Sequence, residues 1–126
     1  MWNWLDASAP GTVVRTITPD ETLLFQFSAL SFNSHRIHLD RDYARRVEGY
    51  PDLVVNGGIL ALLMTESARL ELGRTIRSLT LRNKALLFCN RPIGFVAEQS
   101  PDRLRMSALD HNGRLAAEVE ILTDEL

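Results

Sequence analysis

The stretch that decides the fold runs Asn56-Gly57-Gly58-Ile59-Leu60-Ala61-Leu62-Leu63-Met64-Thr65-Glu66-Ser67-Ala68-Arg69-Leu70-Glu71-Leu72-Gly73. Asn56 is a good N-cap and Gly73 a good left-handed stop, which predicts a helix over Gly57 to Leu72. Ile59, Leu60, Leu62, Leu63, Met64, Ala68, Leu70 and Leu72 make its first turns apolar nearly all round. That is the pattern of a helix buried on most sides, and this helix is the only strong candidate for the centre of the core.

Beyond Gly73 the chain turns to strands. Arg74 to Phe88 reads as one long extended run with a bulge, Pro92 to Gln99 as a second strand, Arg103 to Leu109 as a third and Arg114 to Thr123 as the last. Ser100-Pro101-Asp102 is a turn, and His111-Asn112-Gly113 signals a type I′ hairpin. In the last strand Leu115, Ala117, Val119 and Ile121 alternate with Ala116, Glu118, Glu120 and Leu122, placing the first set on the core face.

Before the long helix, Gly11 to Thr18 is rich in β-branched residues and reads as a strand. Thr18 as N-cap, Pro19 at the first helical position and Glu21 closing a capping box predict a helix with Leu23, Leu24, Phe27 and Leu30 on its apolar face. Ser31 to Leu39 has no periodicity and is a loop. Asp40 caps a short helix from Arg41 to Glu48, with Arg41, Arg45 and Arg46 on the exposed side, and Gly49-Tyr50-Pro51-Asp52 stops it. Leu53 to Val55 is a brief extended segment. The arm Met1 to Pro10 carries Trp2, Trp4 and Leu5, which need cover from the body or from a neighbouring subunit. The element order predicts an α+β architecture, an antiparallel sheet wrapped around a long central helix.

A chain of 126 residues with 45% hydrophobic content is one domain with a single core. A formal charge of −2 lacks the basic excess of a nucleic-acid binder. Cys89 has no partner cysteine for a disulfide or a zinc cluster, and reads as a small buried apolar residue. Neither a signal peptide nor a membrane span is visible, so a cytoplasmic protein is the expectation.

Two places carry chemistry. The first is Ser31-Phe32-Asn33-Ser34-His35-Arg36-Ile37-His38-Leu39-Asp40, with two imidazoles, an Asn and an Arg in one short loop. Imidazole is the natural general acid or base near neutral pH; the alternative is a pair of histidines that only cap and hydrogen-bond. As metal ligands, two histidines with Asp40 make a weak set. The second is Asn56-Gly57-Gly58, where the first amides of a helix lack intrahelical acceptors and no Cβ blocks a ligand. Those amides can stabilise a carbonyl that gains negative charge, or the glycines can simply allow tight packing. Arg36, Arg41, Arg45 and Arg46 cluster just after the loop and can attract the phosphates of coenzyme A or of a carrier's phosphopantetheine arm, or are simply the exposed arginines of a short helix.

The run Phe27-Ser28-Ala29-Leu30-Ser31-Phe32-Asn33-Ser34-His35-Arg36-Ile37-His38-Leu39-Asp40-Arg41-Asp42-Tyr43-Ala44, followed by Val47-Glu48-Gly49-Tyr50-Pro51-Asp52-Leu53-Val54-Val55, resembles the MaoC-like hot-dog dehydratases. The branch is that of type 2 hydroxyacyl-thioester dehydratases and mesaconyl- or itaconyl-CoA hydratases, and the resemblance is strong from Ser28 to Leu63. It implies one hot-dog domain over residues 1–126, used as a homodimer or a higher hot-dog assembly. The implied partner is an acyl-CoA or acyl-carrier thioester, with no nucleic acid, no membrane, no metal and no redox cofactor. In the wider hydratase family the loop reads Asp-x-Asn-Pro-x-His. Alignment on His38 puts Asn33 at the Asp position, His35 at the Asn position and Arg36 at the Pro position.

The resemblance thus implies His38, Asn33 and His35 as catalytic and Gly57, Gly58, Asn56 and Arg36 as substrate-binding. Asn33 can orient a water or the imidazole but cannot take a proton. Where this branch reads Val-Val-His-Gly-Pro, this chain reads Val-Val-Asn-Gly-Gly. The implied activity is that of an acyl-thioester hydro-lyase, hydrating an enoyl-CoA (a dicarboxylic acyl-CoA included) or dehydrating a hydroxyacyl thioester. The alternative is a non-catalytic acyl-thioester-binding subunit that supports a catalytic partner. A thioesterase needs a carboxylate near the helix entrance, and Glu66 lies more than two turns from Gly57.

Overall fold

The computed structural model describes residues 12–73 and 75–123. The arm with Trp2, Trp4 and Leu5, the first strand residue Gly11, and Arg74 lie outside the described residues. Strand β1 (Thr12–Ile17) leads into helix α1 (Glu21–Ser31), a 3₁₀ turn (Arg36–His38), a short helix α2 (Arg41–Arg46) and the long helix α3 (Gly57–Leu72). Strands β2 (Ile76–Asn83), β3 (Ile93–Ser100), β4 (Arg103–Leu109) and β5 (Leu115–Thr123) follow. They form one antiparallel sheet in the order β1-β3-β4-β5-β2.

The core lies between α3 and one sheet face. Ile59, Leu60, Met64, Ala68 and Leu72, spaced at helical intervals, pack with Phe95, Leu104, Met106, Val119 and Ile121 from alternate strand positions. α3 is not buried on most sides: Leu62 is 62% exposed and Leu70 54%. The sheet covers one side of the helix and leaves these two residues uncovered. Gly73 stops α3 in the left-handed region with φ of 62°. Among the described residues no helix is long and apolar enough to cross a membrane.

Several local expectations need correction. Asp20, not Thr18, caps α1: its Oδ1 accepts from the Leu23 amide at 2.8 Å, and Pro19 stays outside the helix with its carbonyl accepting from Asn90 N–H at 2.7 Å. Aspartate is among the strongest caps, and capping at Asp20 leaves the Pro19 carbonyl free for that tertiary bond. The extended run after Gly73 breaks at Asn83, because Leu87 and Cys89 pair with another segment: Val55 N–H donates to Leu87 O at 2.8 Å and Cys89 N–H to Leu53 O at 2.9 Å.

The β4–β5 hairpin is not type I′, since Gly113 has φ of 79° while Asn112 has no positive φ. Asp110 Oδ1 instead accepts from the Asn112 and Arg114 amides at 2.8 and 2.9 Å, and Gly113 N–H donates to Asp110 O at 2.9 Å. This is a type I turn closed by a left-handed glycine. A register shift at Ala108/Leu109 turns Leu115 outward and buries Ala116, so the core face of β5 starts at Ala117.

Candidate active site

α1 ends where Phe32 takes a left-handed φ of 55° and Asn33 N–H returns to Ser28 O at 2.9 Å. Asn33 Oδ1 then accepts from His35 N–H at 3.3 Å, and His35 Nδ1 accepts from Ile37 N–H at 3.3 Å, which opens the 3₁₀ turn. Such local side-chain bonds substitute for regular structure in loops. The turn is fastened to the extended segment by two further bonds. Val54 N–H donates to Ile37 O at 2.9 Å, and His38 Nδ1 lies 2.7 Å from Val54 O.

These contacts set the tautomers. A carbonyl only accepts, so His38 Nδ1 carries the hydrogen and Nε2 of the neutral ring keeps a lone pair. His35 Nδ1 accepts, so its hydrogen sits on Nε2. The rings are 6.0 Å apart, edge to face. His38 is buried and His35 exposed. His38 lines a cavity of about 490 Å³ together with Glu21, Thr22, Phe25, Leu39 and Leu53.

Asp52 fastens this region to the body. Its Oδ1 accepts from Arg41 Nε at 2.7 Å and from Leu53 N–H at 2.8 Å, and Oδ2 accepts from Arg91 Nη1 at 3.2 Å. Burial pushes the Asp52 carboxyl up, but Arg41, the Leu53 amide and Arg91 together outweigh it and hold the group below its usual value. Arg41 also donates to Glu21 Oε1 at 2.7 Å, and these two acidic partners, Glu21 first, push its guanidinium further up. Arg41 is therefore not on an exposed face as expected; it is half-buried and joins α1 to the segment before α3.

The other arginines are engaged as well. Arg36 Nη2 donates to Asp40 Oδ2 at 3.0 Å and its guanidinium stands 4.3 Å above the Tyr43 ring. Arg45 donates to Pro51 O at 3.0 Å and Arg46 pairs with Asp42 at 3.2 Å. Arg36 thus braces the loop against α2. Asp40 caps α2 as expected, accepting from Tyr43 N–H at 3.1 Å, and that amide, then Arg36, holds its carboxyl below the usual range.

At the entrance of α3, Asn56 occupies the cap position but does not cap: Nδ2 donates to Ser28 Oγ at 3.2 Å, and Oδ1 is buried with no partner among the described residues. The Asn56 carbonyl accepts from Ile59 and Leu60, while among the described residues Gly57 and Gly58 N–H have no acceptor. The two glycines differ. A Cβ on Gly57 would sit 3.4 Å from Asn83 Nδ2, an ordinary contact, whereas a Cβ on Gly58 would sit 2.6 Å from Phe27 Cζ. Gly58 is required by packing against α1. Gly58→Ala is expected to cost about 1–3 kcal/mol. Thermal melts should show that cost vanish when Phe27 is also Ala, and an equal cost in both backgrounds would refute the contact as its cause.

Glu21, Asp52 and the Val54 carbonyl escaped the sequence reading. Asp52 lies inside the Glu-Gly-Tyr-Pro-Asp-Leu-Val-Val run, but no residue-level pattern announces three tertiary partners. Local sequence places Glu21 in a capping box, and its bond to Arg41 arises only in the fold.

A five-stranded antiparallel sheet wrapped on one long helix is the hot-dog architecture. The (R)-hydratase from A. caviae involved in PHA biosynthesis superposes with a TM-score of 0.79 over 96% of this chain and 99% of that one; at 19% identity this establishes the fold. The family model for hydroxyacyl-thioester dehydratase type 2 matches residues 5–89, and the chain belongs to that family. It is 45% identical over 111 residues to the mesaconyl-C(4)-CoA hydratase of Chloroflexus aurantiacus, covering 86% of this chain and 40% of that protein. It is 34% identical to the mitochondrial hydroxyacyl-thioester dehydratase type 2 of Schizosaccharomyces pombe, over 60% of this chain and 26% of that protein. The chain thus spans less than half the length of these relatives.

Proposed function

We propose that this chain, as a single hot-dog domain, is an acyl-thioester hydro-lyase that reversibly hydrates an enoyl-CoA or dehydrates a hydroxyacyl thioester. The observation that carries the reading is the 2.7 Å bond from His38 Nδ1 to Val54 O, which leaves Nε2 as a base and anchors the ring to a carbonyl three residues before Gly57, whose amide has no acceptor among the described residues. His38 Nε2 takes a proton from water as the water oxygen bonds to C3 of the enoyl group. The C2–C3 π electrons move toward the thioester oxygen, where the Gly57 N–H, with Gly58 behind it, holds the charge. The imidazolium then returns its proton to C2. One base handles both transfers, so Asn33 and His35 need only shape the turn that carries it, and Asn56 and Arg36 brace the walls.

The substrate class rests on the mesaconyl-C(4)-CoA hydratase relative, which supports a CoA thioester and admits a dicarboxylic acyl chain. A homodimer or higher hot-dog assembly fits the edge of β2, which among the described residues pairs with β5 alone, and the exposed Phe25 and Phe32.

A spectrophotometric assay with a panel of enoyl-CoA thioesters tests the reading: turnover supports it. Acyl-CoA binding by calorimetry without turnover would replace it with a binding subunit that supports a catalytic partner. Gly57→Ala discriminates further. Its Cβ has room beside Asn83, so the melting temperature should hold, while the Cβ crowds the path to the amide and kcat/KM should fall by about 10²-fold. Unchanged kcat/KM would remove Gly57 from the mechanism.

A further inference from the structure

The cavity of about 490 Å³ beside His38 contains one carboxylate among its lining residues, that of Glu21. Oε1 of this group accepts from Arg41 Nη2 at 2.7 Å. Arg41 Nε donates to Asp52 Oδ1 at 2.7 Å, the same oxygen accepts from Leu53 N–H at 2.8 Å, and the next residue's carbonyl holds His38 Nδ1 at 2.7 Å. Two sets of hydrogen bonds therefore tie the carboxylate and the imidazole to one run of three consecutive residues, Asp52-Leu53-Val54. Their relative position is set by the fold and not by two independent loops, as a preorganised site demands.

Glu21 Oε2 makes no hydrogen bond among the described residues, and an ionised carboxylate is acceptor-only. Asn33 Oδ1, the acceptor that the loop itself brings, is already engaged by His35 N–H.

We propose that Glu21 is a catalytic residue of the hydration reaction, its Oε2 accepting one O–H of the attacking water while His38 Nε2 takes the proton of the other. This rests on the hydro-lyase reading. With both hydrogens engaged, the water presents a lone pair to C3. The O–C3 bond forms, the π electrons move to the thioester oxygen, His38 returns its proton to C2, and Glu21 neither gains nor loses one. The carboxylate orients the nucleophile and stabilises the positive charge that gathers on His38.

Glu21→Gln keeps the length and the oxygen that Arg41 needs, and puts a donor where Oε2 was. Two reactions separate its role from a structural one: hydration of crotonyl-CoA, which needs the positioned water, and exchange of the C2 hydrogens of butyryl-CoA with D₂O, which needs only His38 and the helix amides. The variant should lose about 10²-fold in kcat for hydration with KM within about threefold, while exchange stays within about threefold of wild type. The retained exchange shows that the site is folded. Hydration within threefold of wild type, or hydration and exchange lost together, would overturn the role. A wild-type protein that performs neither reaction refutes the hydro-lyase reading itself; one that hydrates equally well as Glu21→Gln refutes only Glu21.

Discussion

His38→Asn is expected to lower kcat for enoyl-CoA hydration by about 10³-fold, within the range for loss of a general base, while leaving the fold intact. The two roles of this imidazole sit on different nitrogens. Nδ1 serves structure through its 2.7 Å bond to Val54 O, and Nε2 is the nitrogen left for chemistry. An asparagine amide can place an N–H near the Nδ1 position, so Val54 O keeps a donor, but it has no lone pair that takes a proton at neutral pH. His38→Ala should lose activity similarly and also leave a buried carbonyl unpaired, at about 1–3 kcal/mol. Steady-state rates and melts of both variants check this. If both keep wild-type rates, His38 is not the base. If the Asn variant is as unstable as the Ala variant, the split between the nitrogens is wrong.

Asp52→Ala should be the most damaging single change to stability. It removes the carboxylate that Arg41 and Arg91 share, and breaking a buried ion pair from one side costs about 3–5 kcal/mol. The low end applies, because the Arg41 and Arg91 side chains are 29% and 30% exposed and reach water once released. About 3 kcal/mol corresponds to a melting temperature about 12 °C lower for a domain of this size. The effect has a pH signature. The folded-state value of Asp52 is depressed below the 3.8 of a free aspartate, so its contribution is fully present above that value and is lost as pH falls through the folded one. Melts from pH 6 down to pH 3 should show wild type losing stability below about pH 4 and converging on the variant. Parallel curves would mean that Asp52 is not the group responsible.

The parts of the molecule governed by neighbours in sequence were legible. Asp40 as cap, Gly73 as stop, the α3 limits and strands β3 and β4 follow from residue types within a turn or two of each other. Local sequence does not separate Asp20 from Thr18-Pro19 as a helix start, and a tertiary bond from Asn90 to Pro19 decides between them. Asn83 ends β2 because Leu87 and Cys89 are claimed by Leu53 and Val55, more than 30 positions away, and no window of sequence contains both. The site divides the same way. The loop with His35 and His38 was visible as a cluster of polar residue types, whereas the Glu21–Arg41–Asp52 chain joins α1, α2 and the segment before α3 and exists only in the folded state. Asn56 looked like a cap and is a buried strut to Ser28.

Asp52 to Asn56 are buried without exception, although they form a connection between two helices. Connections ordinarily lie on the surface, where length and composition drift freely. Here the freedom is displaced upstream, to the exposed Arg45–Gly49 and Pro51. An added residue there lengthens a solvent-facing bend. The same residue added after Pro51 would shift Asp52, Val54 and Asn56 by one position, and each would lose its partner at once. In evolutionary terms this connection is as inelastic as a strand at the centre of a sheet. On the hydro-lyase reading, variety in substrate enters through the walls of the cavity and not through the backbone that holds them.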